Sequence, residues 1–264
     1  MSTPEIVALI TAGLLCGFIN TLAGGGSIIS LSLLLILGMP ATLANGTNRI
    51  AVAMQTLVAT GSFRYQRVLD WRKGLALSIP AVVGSLIGAK IAVEINEDVF
   101  ERAIGVIMIL MLYFILQKPQ RWLIGRKDLM EKPVSVWQVI IFFFIGIYTG
   151  FIHIGVGYFL LAAIVLGAGY DLVKANAIKV LIVLISAPFT LFVFIYYGQV
   201  DYLYGFVLGI GNVVGALVAS RLAVSRGVVF VKWVIIIMIL LTSIQMFGIL
   251  DIKDLFSLIA NKHE

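Results

Sequence analysis

Three consecutive glycines, Gly24-Gly25-Gly26, interrupt one of the most apolar stretches of this chain. Three glycines in a row do not sustain a helix. Inside a bilayer a broken helix leaves backbone N–H and C=O groups without water. Such a break is tolerated only where it is packed in protein or lines a cavity. The stretch that leads into it, Gly17-Phe18-Ile19-Asn20, returns as Gly150-Phe151-Ile152-His153 and again runs into glycines, Gly155 and Gly157. Two breaks in corresponding places are the best sequence pointer to a transporter's binding site.

Composition supports the bilayer. The chain is 61% hydrophobic and 12% charged, where soluble domains hold about 25% charged residues. A soluble fold is excluded. The net charge of +6 reads as basic loops that set topology, not as a nucleic-acid surface. Cys16 is the only cysteine, which rules out a disulfide framework and leaves it a small hydrophobe in the first apolar segment. Met1-Ser2-Thr3-Pro4-Glu5 has no basic n-region and no small-residue cleavage site, so no removable signal peptide is expected.

Apolar segments run over 5–22, 27–38, 42–62, 75–93, 100–117, 137–152, 156–168, 174–197, 203–222 and 230–249. A spanning helix needs about 20 residues. Ile28–Leu37 and Tyr158–Leu166 are too short for that, and each follows a glycine cluster. They are half-helices of a re-entrant hairpin or short buried spans. The expected fold is an all-α polytopic membrane protein with about 8 spanning helices, or up to 10 segments if the two short ones are counted separately. Strands are disfavoured, because a barrel needs alternation in ten-residue pieces.

Loop charges set the orientation. Arg64, Arg67, Arg72 and Lys73 place the loop after the third segment inside, and Glu94, Glu97, Asp98 and Glu101 place the next one outside. Lys118, Arg121, Arg126, Lys127 and Lys132 place the central connection inside. In the second half the signs swap: Gly198-Gln199-Val200-Asp201 carries no basic residue, whereas Arg221, Arg226 and Lys232 mark the next loop. The expectation is two inverted-topology repeats, 1–117 and 136–250. A basic cytoplasmic connection at 118–135 joins them, a short polar tail follows at 251–264, and both termini lie outside. Trp71, Trp122, Trp137 and Trp233 fall at segment edges as interfacial anchors. Paired positions lie about 130 residues apart throughout, Asp70-Trp71 with Asp201-Tyr202, Gly84 with Gly215 and Lys90 with Arg221 among them.

Polar residues within the apolar segments are the candidates for chemistry. The sequence offers Asn20, Gly24, Gly25, Gly26, Ser27, Thr47, Asn48 and Arg49 in the first half. It offers His153, Gly155, Gly157, Tyr158, Asn176 and Lys179 in the second. Gln55 and Ser186 are also deep and polar. No Asp or Glu lies well inside any segment. Intramembrane ionisable groups mark substrate or ion paths, and a site of Lys, Arg, amides and helix N-termini favours an anion. Other readings compete with this one. Arg49 and Lys179 could snorkel, as Lys90 and Arg221 are expected to. Gly84, Gly88, Gly209, Gly211 and Gly215 read as helix-packing positions.

At Gly17-Phe18-Ile19-Asn20-Thr21-Leu22-Ala23-Gly24-Gly25-Gly26-Ser27, at Ala44-Asn45-Gly46-Thr47-Asn48-Arg49 and at the Gly150-Phe151 copy, the chain resembles the sulfite exporter TauE/SafE family of bacterial and archaeal membrane permeases. The resemblance implies a secondary transporter in the cytoplasmic (inner) membrane. Its substrate would be a sulfur oxyanion or organosulfonate, such as sulfite, thiosulfate or a sulfonate, moved by alternating access. Arg49 stands where lysine is frequent in the family, which changes how an oxyanion would be held. A passive anion channel and a permease for a non-sulfur carboxylate are the alternatives. An enzyme is disfavoured: the chain has two histidines and no buried acid, so no catalytic residue, metal site or cofactor is expected. The expected partners are the anion and the lipid bilayer, with no nucleic acid. Proton or sodium coupling and a homodimer stay open.

Overall fold

The computed structural model describes residues 1–96, 99 and 127–246, all strand-free. Helix α1 (Thr3–Leu22) is closed at its start by a capping box of Ser2 and Glu5. Next come α2 (Ser27–Ile36) and α3 (Ala41–Tyr65), which starts behind Pro40. In α4 (Trp71–Glu94) Asp70 accepts from the Lys73 amide. A short turn, α5 (Lys127–Met130), precedes α6 (Val136–Phe151), which has a second capping box, of Ser135 and Gln138. Helix α7 (Val156–Ala162) runs on as a π-helical turn, Ala163–Gly167. Asp171 caps α8 (Leu172–Tyr196) through the Val173 and Lys174 amides. Helix α9 (Tyr202–Met246) is bent at Gly227, whose φ of 74° is left-handed, so two helices meet there end to end. The bend falls between the predicted segments 203–222 and 230–249.

Both short segments fold back on the helix before them. Along α2, Ser27 meets Asn20 and Ser30 meets Cys16, so α2 retraces α1 towards its start. In the second half Tyr148 packs edge-on against Phe159, and Gln138 at the start of α6 donates to Gly167 O at the far end of the π-turn. The result is two helical hairpins, α1–α2 and α6–α7, with the glycine breaks at their tips.

The hairpins are clamped by exchange between the halves. α1 packs along α9 and α6 along α4. Glycines make both contacts close. A Cβ on Gly84 or Gly88 would run into the α6 backbone at Phe143 and Ile147, and a Cβ on Gly211 or Gly215 into the α1 backbone at Ile10 and Leu14. Gly209 faces the Met54 side chain of α3. The packing role expected of these five glycines is what the structure gives.

Helices α3 and α8 cross between these pairs. Their buried faces match: Val52, Gln55, Thr56, Ala59 and Phe63 recur in the same order and spacing as Val183, Ser186, Ala187, Thr190 and Phe194. In the hairpins the packing register differs from the spacing of the Gly17 and Gly150 motifs. Gly17 packs on Asn212 of α9 as Gly146 packs on Ala81 of α4. Gly150 lies one helical turn further on. A shift of one turn keeps residues on the same helix face, so glycine patterns align almost equally well in either register.

Among the described residues, four helices are long and apolar enough to cross a membrane: Thr3–Leu22, Trp71–Glu94, Leu172–Tyr196 and Tyr202–Ile235. Helix α3 has the length, at 25 residues, but carries Asn45, Thr47, Asn48, Arg49 and Gln55 on a buried face. The predicted segment 100–117, residues Glu97, Asp98, Glu101 and Arg102, the first half of the basic connection (118–126) including Trp122, and the tail 251–264 lie outside the described residues.

Glycine packing gives a direct test. Gly84→Ala places a methyl against backbone and should destabilise by about 1–3 kcal/mol. Gly61→Ala, with open space around it, should be neutral or stabilising by up to about 1 kcal/mol. Thermal unfolding of the two variants in detergent reads the difference. Equal midpoints would show that the α4–α6 contact does not need its glycines.

Candidate functional site

The two hairpin tips meet. Gly157 N donates to Gly24 O at 3.3 Å, and a Cβ on either glycine would collide with the other's backbone. Gly24 has φ 94° and Gly155 φ 66°, values that favour glycine. Gly25 lies against the Tyr158 ring, and Gly26 against the backbone of Cys16 and Asn20. The glycines therefore let two backbones touch in the middle of the molecule. Asn20 closes the first tip: its Oδ1 accepts from Ser27 N at 3.2 Å and its Nδ2 donates to Ser27 Oγ at 2.8 Å. Ser27 does not cap α2; the Asn20 side chain does.

Helices α1 and α6 end at this junction, and the last carbonyls of a helix have no partner within it. Each end is answered by the other half. From α3, Asn45 Nδ2 donates to Phe151 O at 2.9 Å, Arg49 Nη1 to Thr149 O at 3.2 Å and Arg49 Nη2 to Gly150 O. From α8, Asn176 Nδ2 donates to Leu22 O at 3.0 Å. Lys179 Nζ donates to Asn20 O at 2.9 Å, to Thr21 O at 3.0 Å and to Asn176 Oδ1 at 2.6 Å. A cation at a helix C-terminus also meets the negative end of the macrodipole.

The charge balance is unequal to that task. Arg49 is 3% and Lys179 2% exposed, and among the described residues no carboxylate is buried. A buried cation facing only carbonyl dipoles is incompletely compensated. Arg49 has capacity to spare: its guanidinium lies 4.5 Å from the Phe194 ring centre, and its Nε is buried without a partner. The ammonium of Lys179 has three acceptors for its three hydrogens.

Beside Arg49 lies a cleft of about 220 Å³ including its open mouth, lined by Arg49, Val52, Thr149, His153, Val183, Ser186, Ala187 and Thr190. Its enclosed part has room for about one water molecule. Thr149, Ser186 and Thr190 spend their hydroxyl hydrogens on α6 and α8 carbonyls, which leaves their oxygens as acceptors. Of the sequence candidates, Arg49 and His153 share this cleft. Asn20, Gly24, Gly25, Gly26, Ser27, Gly155, Gly157 and Tyr158 form the tip junction, with Asn176 and Lys179 against it. Asn48 accepts from Ser30 Oγ at 2.8 Å, and its Nδ2 is buried without a partner. Thr47 lies elsewhere: its hydroxyl accepts from Asp201 N at 2.9 Å and holds the loop before α9. Thr149 and Thr190 escaped the sequence reading. The available signal was the one-turn spacing of Ser186 and Thr190, which puts two hydroxyls on the Lys179 face of α8. Among the described residues no group of His, Cys, Asp and Glu could hold a metal.

Outside the apolar helices, Tyr170 donates to Asp70 Oδ2 and Lys73 Nζ to Lys132 O. These bonds tie the loop before α8 and the central connection to the start of α4. Burial and the Asp70 carboxylate push the Tyr170 phenol above its ordinary value.

The family described as sulfite exporter TauE/SafE matches residues 9–246. The chain is 30% identical over 234 residues to the probable membrane transporter protein YfcA of Escherichia coli (strain K12), covering 87% of this chain and 84% of that one. It is 27% identical over 239 residues to the probable membrane transporter protein ORF9 of Sinorhizobium sp, with 90% of each covered. A probable membrane transporter protein of Haemophilus influenzae is 25% identical over 242 residues, 91% of this chain and 94% of its own. No solved structure matches.

Lys179→Met keeps the bulk and removes the donors to Asn20 O and Thr21 O. Each orphaned buried acceptor costs about 1–3 kcal/mol, so the unfolding midpoint should fall and amide exchange at residues 23–28 should rise. A Lys179→Met protein with the parent's midpoint and exchange would show that the α1 end is satisfied without the lysine.

Proposed function

The chain belongs to the sulfite exporter TauE/SafE family of membrane transporters, and from that premise we propose a secondary permease for a small anion, a sulfur oxyanion or organosulfonate. One observation carries the anion reading. Each half delivers a buried cation to the junction of the hairpin tips, and among the described residues no carboxylate is buried to balance them. An anion seated there supplies the missing charge. The cleft beside Arg49 is its place. The guanidinium presents a planar fork suited to oxyanions, and the unpaired Nε offers a donor that the α6 carbonyls do not use.

The two halves, in this reading, are inverted repeats around the tip contact. The exchange of caps, the exchanged packing of α1 on α9 and α6 on α4, and the matched buried faces of α3 and α8 support it. The hairpins enter the bilayer from opposite sides as re-entrant pairs, and both termini of this multi-pass chain lie outside the cytoplasmic membrane. Non-helical backbone at this depth is acceptable because it is packed in protein. Transport proceeds by alternating access, in which the cleft widens to admit the anion and closes behind it. The sulfur assignment rests on the family's description; the cation pair by itself serves a small carboxylate as well.

Proteoliposomes loaded against labelled sulfite, thiosulfate, an organosulfonate and a carboxylate of similar size test the reading. Sulfur anions should be carried. Arg49→Gln should cut their flux at least about tenfold, the equivalent of one charge-assisted hydrogen bond of about 1.5–3 kcal/mol. Undiminished flux in Arg49→Gln places the anion elsewhere, and preference for the carboxylate removes the sulfur assignment.

A further inference from the structure

The cleft beside Arg49 has a counterpart in the other half of the chain. Superposing the halves by their buried faces puts Val52, Gln55, Thr56 and Ala59 of α3 where Val183, Ser186, Ala187 and Thr190 stand on α8. Aligning the hairpin ends by their capped carbonyls puts Asn20 and Gly24 where Thr149 and His153 stand, with Lys179 as the cation. The counterpart of the Arg49 cleft is therefore a second polar cluster of Asn20, Gln55, Thr56 and Lys179, as buried as the lining of the cleft itself.

This cluster is polar beyond what packing requires. Gln55 Oε1 accepts from Asn212 Nδ2 at 3.3 Å across to α9. On the helices that carry or touch this cluster, three polar atoms are buried with no hydrogen-bond partner: Thr21 Oγ1 on α1, Thr60 Oγ1 on α3 and Asn212 Oδ1 on α9. Each costs about 1–3 kcal/mol while dry. Native structures keep few such groups, and each calls for a cause. Hydration when the region opens is a cause that serves all three.

Direction follows from the helices. In α8, Thr190 lies towards the end that leads into Gly198–Asp201, the face that loop charges place outside. In α3, Thr56 and Thr60 lie towards Arg64 and Arg67, the face that they place inside.

We infer that Asn20, Gln55 and Thr56, beneath Lys179, line the second mouth of the anion path, which opens to the Arg64 and Arg67 face when the Arg49 cleft is shut. The inference rests on the proposed inverted repeat and alternating access, and adds the residues of the second mouth. The two mouths differ in chemistry. The Arg49 side presents hydroxyls and a histidine, and the Lys179 side amides and a hydroxyl. The cation is a guanidinium fork at one mouth and, at the other, a point-like ammonium whose three hydrogens go here to Asn20 O, Thr21 O and Asn176 Oδ1.

Cysteine accessibility tests this. In a Cys16→Ala background, which removes the only cysteine, single cysteines replace Ser186, Thr190, Gln55 or Thr56. Two positions per mouth guard against one variant that fails to fold. A membrane-impermeant methanethiosulfonate is applied to right-side-out and to inverted vesicles, with and without thiosulfate. Ser186→Cys and Thr190→Cys should react from the outer face alone, and Gln55→Cys and Thr56→Cys from the inner face alone. Thiosulfate should shift the rates at the two mouths in opposite directions. Reaction of all positions from one face overturns the inference, and so does lack of reaction at both Gln55→Cys and Thr56→Cys from either face. Labelling from opposite faces in a protein that carries no sulfur anion would sink the substrate assignment and leave the second mouth standing. Thiosulfate flux with one-faced labelling would do the reverse.

Discussion

The structure depends on one constraint: two helices end inside the protein at a depth where water cannot reach their carbonyls. Six carbonyls are at issue, Asn20, Thr21 and Leu22 on α1 and Thr149, Gly150 and Phe151 on α6. An amide and a cation from the opposite half answer each set. Neither hairpin can satisfy its own end, because its returning helix supplies N–H groups at the tip and no side-chain donor to those carbonyls. The halves are therefore bound together by electrostatics at the centre, where the low dielectric makes a charge-assisted bond strongest. That bond leaves a cation excess, which the proposed anion would balance.

Much of this was legible in the residues. Three glycines in an apolar run forecast a break, and the structure has one at each copy. The deep polar residues pointed to the junction, and Arg49, Lys179, Asn176 and His153 are all there. The partners of those residues were not legible. Arg49 and Lys179 could be read as snorkelling or as anion ligands. Their actual acceptors are backbone carbonyls about 100 and 160 positions away, and a carbonyl leaves no mark in a sequence. Thr47 misled for a related reason. It sits one turn or less from Asn45 and Asn48, yet its side of α3 faces the loop that starts α9. The role of Gly24–Gly26 shifted too. The cluster breaks the helix as expected, but its lack of side chains is used for contact with Gly157 and Tyr158.

Arg49 and Lys179 do equivalent work with unequal means. Lysine places three hydrogens on three acceptors and has none left. Arginine has five N–H groups, so the same capping duty leaves it donors, an aromatic contact with Phe194 and a place on the cleft wall. The asymmetry lies in side-chain chemistry and not in the backbone, since both cations reach the last turn of the opposite hairpin. In the proposed permease, Arg49 would thus have a donor for the anion while Lys179 holds the hairpin end.

Packing decides which surfaces can move in such a cycle. Where α4 meets α6, and α9 meets α1, glycines bring backbone against backbone, and displacement by a fraction of an ångström meets atoms with no rotamer to change. In the proposed cycle those pairs would move as units, each hairpin with a helix of the other half. The α3–α8 crossing is different. There Val52 of α3 faces Val183, Ser186 and Ala187 of α8 across the cleft, side chains and not backbone on backbone. Alternating access, as proposed, would therefore place the sliding surface along α3 and α8, which are also the helices that carry both cations. In the proposed cycle, motion there would shift Arg49 and Lys179 against the carbonyls they cap.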